Sequence, residues 1–165
     1  MSVYSFYIFD RHTECIYSKR FTQAPPPAPS KSTSALSNGA VSASLRRANK
    51  DSDDAKLVFG TIFSLRRMCK QLGGADDQFL SYRTGEYKLH YFETPTQLRL
   101  VMLTSPQVGN MRTVLHQIWS TLFVEYVVKS PLAPTEHKGG KGVGNELFEG
   151  GLERFMEVVF RPQPQ

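Results

Sequence analysis

Residues 86–104 read EYKLHYFETPTQLRLVMLT, and this stretch decides the fold. Tyr87, Leu89 and Tyr91 alternate with Lys88 and His90, the period-two pattern of a strand with one buried face. Leu98 to Leu103 is apolar on nearly both parities, with Arg99 the exception, as expected of an inner strand covered on both sides. Thr94-Pro95-Thr96-Gln97 lies between, with proline where a tight turn wants its fixed φ. The expectation is one antiparallel hairpin, with the rest of the chain layered against it.

Working outward, residues 79–84 form a short strand joined to the hairpin by Thr84-Gly85-Glu86. VYSFYIFD (residues 3–10) is a strand rich in aromatic and β-branched residues. ECIYSKRF (residues 14–21) is its return strand across a polar turn. The histidines beside these strands, His12 and His90, are expected to be solvated. Residues 51–72 predict a first helix, capped by Asp51 or Ser52, with Asp53 and Asp54 in the first turn and Gly73-Gly74 ending it. Val58, Ile62, Leu65, Cys69 and Leu72 form its face, while Leu57, Phe59, Phe63 and Met68 lie to either side. That sector is wider than one packing surface requires and has two readings, an over-wide core or a second surface that meets another protein.

A second helix is expected over residues 110–129, with Met111, Leu115, Ile118, Trp119, Leu122 and Tyr126 as its inner stripe and Ser130-Pro131 as its stop. His116 is expected on its outer flank. A third helix covers residues 146–160, with Phe148, Leu152, Phe155 and Val159 inward and Gly150-Gly151 as an internal weak point. Strand–strand–helix–strand–strand–strand–helix–helix predicts five antiparallel strands with helices on both faces, an α/β (α+β) class.

Two stretches stand apart. Residues 22–50 hold Pro25, Pro26, Pro27 and Pro29, then a Ser/Ala/Asn mixture with no aromatic after residue 21 and no acid. The reading is a flexible Pro/Ser-rich insertion within a single domain. Residues 133–145 are a Gly-rich loop whose spacing fails GxxxxGK[ST] and which no strand precedes, so it is read as a linker rather than a phosphate cradle.

The chain has 165 residues and a formal charge of +5. The excess sits in residues 1–50, with seven Lys/Arg against two Asp/Glu; residues 51–130 have nine against eight and residues 131–165 four against five. No basic stripe is interleaved with aromatics on a regular element, so nucleic acid is not an expected partner. No signal-peptide pattern opens the chain, and the most apolar helical run is short and carries His116, Gln117 and Glu125, so a soluble chain is expected, meeting membranes only indirectly. Cys15 and Cys69 lack motif spacing to histidine. No nucleophile elbow, zinc spacing, dinucleotide fingerprint or inward carboxylate pair appears, so no catalytic residue, metal or cofactor is assigned and no enzyme activity is expected.

Four segments in this order, YSFYIFDRH from Tyr4, AKLVFGTIFSLRRM from Ala55, YKLHYFETPTQLRLVML from Tyr87 and VLHQIWSTLFVEYVVKSPL from Val114, resemble the longin-type core subunits of the TRAPP vesicle-tethering complex, the synbindin/sedlin-like longin family. That resemblance implies a longin-like five-stranded antiparallel sheet with one helix on one face and two on the other. It implies a non-catalytic subunit in an assembly that exchanges guanine nucleotide on an early-secretory Rab GTPase and tethers vesicles between endoplasmic reticulum and Golgi. The implied partners are a synbindin-like longin subunit, a palmitoyl-binding core subunit and, through the assembled complex, the GTPase; the implied location is cytoplasmic, peripheral on Golgi and endoplasmic reticulum membranes. A longin-type regulator or adaptor acting outside TRAPP is the alternative. On this reading Leu57, Phe59, Phe63, Met68, Phe79 and Tyr82 are the candidate partner-binding residues. Glu93, Thr96 and Lys129, at the polar ends of the hairpin and second helix, are the candidate GTPase contacts.

Overall fold

The expected hairpin is present as β4 (Lys88–Glu93) and β5 (Arg99–Thr104). The computed structural model describes residues 2–21, 40–74 and 77–161, with residues 40–50 as backbone only. Its other elements are β1 (Val3–Phe9), β2 (Cys15–Arg20), α1 (Ala40–Gly73), β3 (Ser81–Arg83), α2 (Arg112–Gln117) and α3 (Glu146–Phe160). Alpha-helical α2 runs on into a π-helical segment, Ile118–Val128, and Lys138–Gly140 forms a single 3-10 turn. The five strands make one antiparallel sheet in the order β2-β1-β5-β4-β3. A five-stranded antiparallel sheet with three helices is the longin-like α/β arrangement expected.

Backbone hydrogen bonds close the hairpin loop, from Thr94 N–H to Leu98 O (2.9 Å) and from Gln97 N–H to Thr94 O (3.0 Å). Gln97 takes a left-handed φ of 62°, the four-residue turn followed by a left-handed residue that antiparallel strands favour. The Thr94 hydroxyl accepts from Leu98 N–H at 3.0 Å, so a side chain supplies part of the turn's bonding.

The chain divides into two compact units, residues 1–22 with 79–165, and residues 23–78. In the first, one sheet face presents Phe6, Ile8, Tyr17, Phe92, Leu100 and Met102 to α2, the π segment and α3 in a single apolar core. Phe148 of α3 meets Tyr17 edge-on at 5.1 Å and Phe123 at 6.2 Å. Asn145 caps α3, its side-chain oxygen accepting from Phe148 N–H at 2.7 Å while its amide donates to Tyr126 O at 2.9 Å. Phe148 and Leu152 are buried as expected, and Met156 joins them ahead of the half-buried Phe155 and Val159.

The second helix departs from its expected stripe. Lys129 N–H bonds to Val124 O, five residues back, at 2.9 Å, the i→i+5 closure of a π-helix. The wider turn brings Leu115, Ile118, Phe123 and Val127 to full burial, and leaves Trp119, Leu122 and Tyr126 partly buried around the core. A charge argument favours this register. With 3.6 residues per turn, Leu115, Ile118 and Leu122 inward would bring Glu125 to the edge of the buried face and Lys129 into it. The wider register keeps them outside, paired at 2.6 Å.

Three further expectations change. Helix α1 begins at Ala40 rather than at Asp51. Residues 40–50, AVSASLRRANK, lack Pro and Gly and are rich in strong helix formers, so the Pro/Ser-rich composition of the preceding stretch does not extend to them. Asp51 to Asp54 therefore lie inside the helix, and residues 22–39 of the expected insertion fall outside the described residues. His90 is buried at 1 % exposure rather than solvated, because its strand is covered on this parity too. Its Nε2 lies 2.9 Å from the Thr104 hydroxyl, and its Nδ1 has no hydrogen-bond partner among the described residues. The Gly-rich loop, read as a linker, is built into the unit. Val143 is fully buried and Gly140 lies against the backbone of Ile16 on β2.

Candidate partner-binding surfaces

Each unit carries part of the expected partner-binding set. On α1, Ala55 and Ile62 are buried, whereas Leu57 (70 % exposed), Phe63 (56 %), Met68 (48 %) and Leu72 (83 %) are open. Leu72 was expected on the inner face. At about 100° per residue, Met68 and Leu72 fall roughly 20° and 60° from Leu57, and Phe63 roughly 120° away on the opposite side. The exposed apolar surface is thus a strip of Leu57, Met68 and Leu72 plus a separate aromatic pair, Phe63 stacked on half-buried Phe59 at 6.3 Å. Exposed leucine, methionine and phenylalanine along one helix are unfavourable in water and fit a surface made to be covered.

In the other unit, Phe79 is buried with its ring 5.6 Å from Tyr91. Tyr82 is half-buried on β3, edge-on to Tyr87 at 6.4 Å. Strand β3 is a sheet edge, three residues long, beside the exposed Leu80. The opposite edge, β2, has Gly140 against the Ile16 carbonyl, where a Cβ would sit 2.6 Å away. A short edge beside an exposed leucine is the kind a partner strand or helix can cover.

The three expected GTPase contacts occupy two places. Glu93 faces inward chemistry, with Arg99 Nε at 3.6 Å and the Tyr91 hydroxyl donating to it at 3.1 Å. Thr96 is exposed at the hairpin tip, its hydroxyl 2.9 Å from that of Thr94. Lys129 lies at the far end of the π segment, paired with Glu125.

A cluster the residue pattern had not singled out lies beside the hairpin. Phe92 of β4 receives Arg112 over its ring at 5.8 Å, His116 edge-on at 5.5 Å and Trp119 at 6.3 Å, with His116 and Trp119 themselves 5.6 Å apart. Arg112, His116 and Trp119 stand at i, i+4 and i+7, one helical face, and that spacing was the available signal.

Two side chains elsewhere resist ionisation. Burial pushes the Cys15 thiol up to about 11, only partly opposed by its hydrogen bond to Tyr17 O. Burial and the Glu149 and Glu153 carboxylates raise the Tyr17 hydroxyl far above its ordinary value, and that hydroxyl has no hydrogen-bond partner among the described residues. Among the described residues no group of three His, Cys, Asp or Glu side chains could hold a metal ion. No described helix is long and apolar enough to cross a membrane.

A family model described as the Sybindin-like family matches residues 3–159. The chain is 39 % identical to the "Transport protein particle subunit bet5" of Schizosaccharomyces pombe, over 96 % of this chain and 98 % of that one. It is 35 % identical to the human "Trafficking protein particle complex subunit 1", over 96 % of this chain and 94 % of the relative. It is 32 % identical to the "Trafficking protein particle complex subunit BET5" of Saccharomyces cerevisiae, over 94 % and 96 %. With both the family model and these relatives spanning nearly all of it, the chain belongs to the Sybindin-like family.

Proposed function

We propose that this chain is a non-catalytic core subunit of a TRAPP complex, helping to form the composite surface that exchanges guanine nucleotide on an early-secretory Rab GTPase. In this role it works in the cytoplasm, peripherally on Golgi and endoplasmic reticulum membranes, in vesicle tethering between the two. The observation that carries the reading is the end-to-end match to relatives whose names make them subunits of transport particles. The exposed apolar residues of α1 and the open β3 edge supply what a subunit needs, surfaces for neighbours to cover. On α1, Leu57, Phe63 and Met68, with half-buried Phe59 among them, meet a longin-type or palmitoyl-binding core subunit; in the other unit Tyr82 on β3, with buried Phe79, is a separate proposed contact. Thr96, Glu93 and Lys129 remain the proposed GTPase contacts.

An exchange factor must bind the nucleotide-free GTPase more tightly than the loaded one and disturb the contacts that hold phosphate and Mg²⁺. Nothing in the described residues reaches out as a finger for that work, so the activity belongs to the assembly. The test is native co-purification with the other subunits, followed by fluorescent GDP release from the Rab. Phe63→Glu abolishes co-purification while the circular dichroism spectrum stays folded. The chain alone does not accelerate release, and the reconstituted complex loses activity without it. Exchange by the isolated chain, or full activity of a complex lacking it, refutes the proposal.

A further inference from the structure

We infer that Ser130 is a phosphorylation site for a proline-directed protein kinase, and that the phosphate takes Lys129 away from Glu125. Serine or threonine stands before proline at three places in the chain, Thr94-Pro95, Ser105-Pro106 and Ser130-Pro131. A kinase threads its acceptor as extended chain, and a following proline holds the acceptor extended and has no N–H to leave unpaired. The fold separates the three. Thr94 is 3 % exposed, and its hydroxyl accepts from Leu98 N–H while meeting that of Thr96. Ser105 is stitched to Ser2, its N–H donating to Ser2 O at 2.9 Å and its hydroxyl accepting from Ser2 N–H at 3.4 Å. The Ser130 hydroxyl has no hydrogen-bond partner among the described residues and is not one of their buried unpartnered groups, so water reaches it. Lys129, Pro131 and Leu132 beside it are exposed, Leu132 at 93 %. Within residues 130–136 the one backbone hydrogen bond is Ala133 N–H to Ser130 O at 3.1 Å, so the segment opens at little cost.

ATP is the co-reactant. Ser130 Oγ attacks the γ-phosphorus, and the bond from that phosphorus to the β–γ bridging oxygen breaks. ADP leaves, and the hydroxyl proton passes to the kinase's catalytic carboxylate. The product carries about −1.5 to −2 charges at neutral pH. Ser130 directly follows Lys129, the C-cap of the π segment, whose ammonium lies 2.6 Å from Glu125 in an exposed pair. Such a pair contributes little in water. A phosphate on the adjacent residue, with up to about twice the charge of a carboxylate, therefore draws the ammonium off. The end of the helix, which carried a balanced pair, becomes acidic. Phosphorylation thereby removes Lys129 from the GTPase contact proposed above; this regulatory step rests on that proposal, and the modification itself does not.

The experiment treats the full chain with ATP and a mitogen-activated protein kinase and maps the phosphate by mass spectrometry. Phosphate enters on Ser130 about tenfold or more faster than on Ser105 or Thr94. Pro131→Ala, which keeps the hydroxyl, slows the transfer about tenfold, and circular dichroism checks that the variant is folded. Phosphorus NMR locates the ammonium: the midpoint of the phosphate's second ionisation rises in Lys129→Ala, because a neighbouring cation is lost. In the reconstituted complex the phosphorylated chain gives slower GDP release than Ser130→Ala treated alike. No transfer, transfer mainly to another residue, an unchanged rate in Pro131→Ala or an unchanged midpoint in Lys129→Ala overturns the inference. Equal release with and without phosphate in an active complex refutes the regulatory step. A complex inactive even with the untreated chain refutes the proposed function instead, and the phosphate mapping stands apart from it.

Discussion

The π-helical register of residues 118–128 makes a prediction that separates two neighbouring side chains. Phe123 is 1 % exposed, edge-on to Phe148 at 6.2 Å and to His137 at 6.2 Å. Phe123→Ala removes a whole ring from a place where α3, the π segment and the Gly-rich loop meet, and none of these backbones can close the gap freely. Lost transfer energy plus the residual cavity gives about 3–5 kcal/mol. Leu122 is half-buried, and its Cδ2 lies where a Cβ on Gly151 would approach to 3.0 Å. Much of its surface is in water already, so Leu122→Ala should cost about 1–2 kcal/mol, in proportion to the smaller area uncovered. Against a domain stability of roughly 5–15 kcal/mol, the first change is severe and the second is tolerated. Urea unfolding followed by far-ultraviolet circular dichroism and by Trp119 fluorescence reads both, provided the two probes give one transition. An ordinary α-helix predicts the reverse ranking, since Leu122 would then face the sheet and Phe123 the flank. A Leu122→Ala loss equal to or larger than that of Phe123→Ala refutes the register.

Two other perturbations test the interior. Burial, with the nearby Lys88 charge, lowers the His90 pKa to about 4 from its ordinary 6.5, so between these values the unfolded chain takes up a proton that the folded chain refuses. The stability is complete above about pH 6.5 and falls by about 3 kcal/mol by pH 4; His90→Leu should flatten that slope by one proton, and an unchanged slope would show that His90 is not the group responsible. Gly140 has a φ of 79° and meets the Ile16 carbonyl, whereas Gly139, at 63°, has open space around it. Gly139→Ala should cost about 1–2 kcal/mol for the left-handed backbone alone, and Gly140→Ala distinctly more; equal losses in thermal unfolding would mean the loop does not rest on β2.

The sheet was legible because its signal is local. Alternation in Tyr87, Leu89 and Tyr91, the apolar run into Leu103 and a proline turn between them specify a hairpin with no help from the rest of the chain. Helix α3 was legible for the same reason, with Phe148 and Leu152 about one turn apart. What failed depended on counting residues per turn or on parts of the chain that meet only after folding. The stripe Ile118, Trp119, Leu122, Tyr126 assumes 3.6 residues per turn, and an i→i+5 closure is invisible to that arithmetic when residues 122, 123, 126 and 127 are all apolar. His90 reads as a solvated strand residue until the partner hydroxyl of Thr104, fourteen residues on, is beside it. The start of α1 was misplaced because Asp51 to Asp54 imitate a helix N-terminus, and no rule of local sequence forbids such a group inside a longer helix.

The same distinction explains why the candidate surfaces were read unevenly. Leu57, Phe63 and Met68 were conspicuous because one helix face already accounted for the core, and a surplus of apolar side chains on a single element can be counted in the sequence. The cluster around Phe92 had no such surplus. Trp119 looked like core and His116 like a solvated flank, and each description taken alone is reasonable. Only the approach of β4 to α2 joins them, through one buried ring that belongs to the other element. A surface made from one helix is therefore recoverable from periodicity, whereas a surface assembled across two elements needs the fold first.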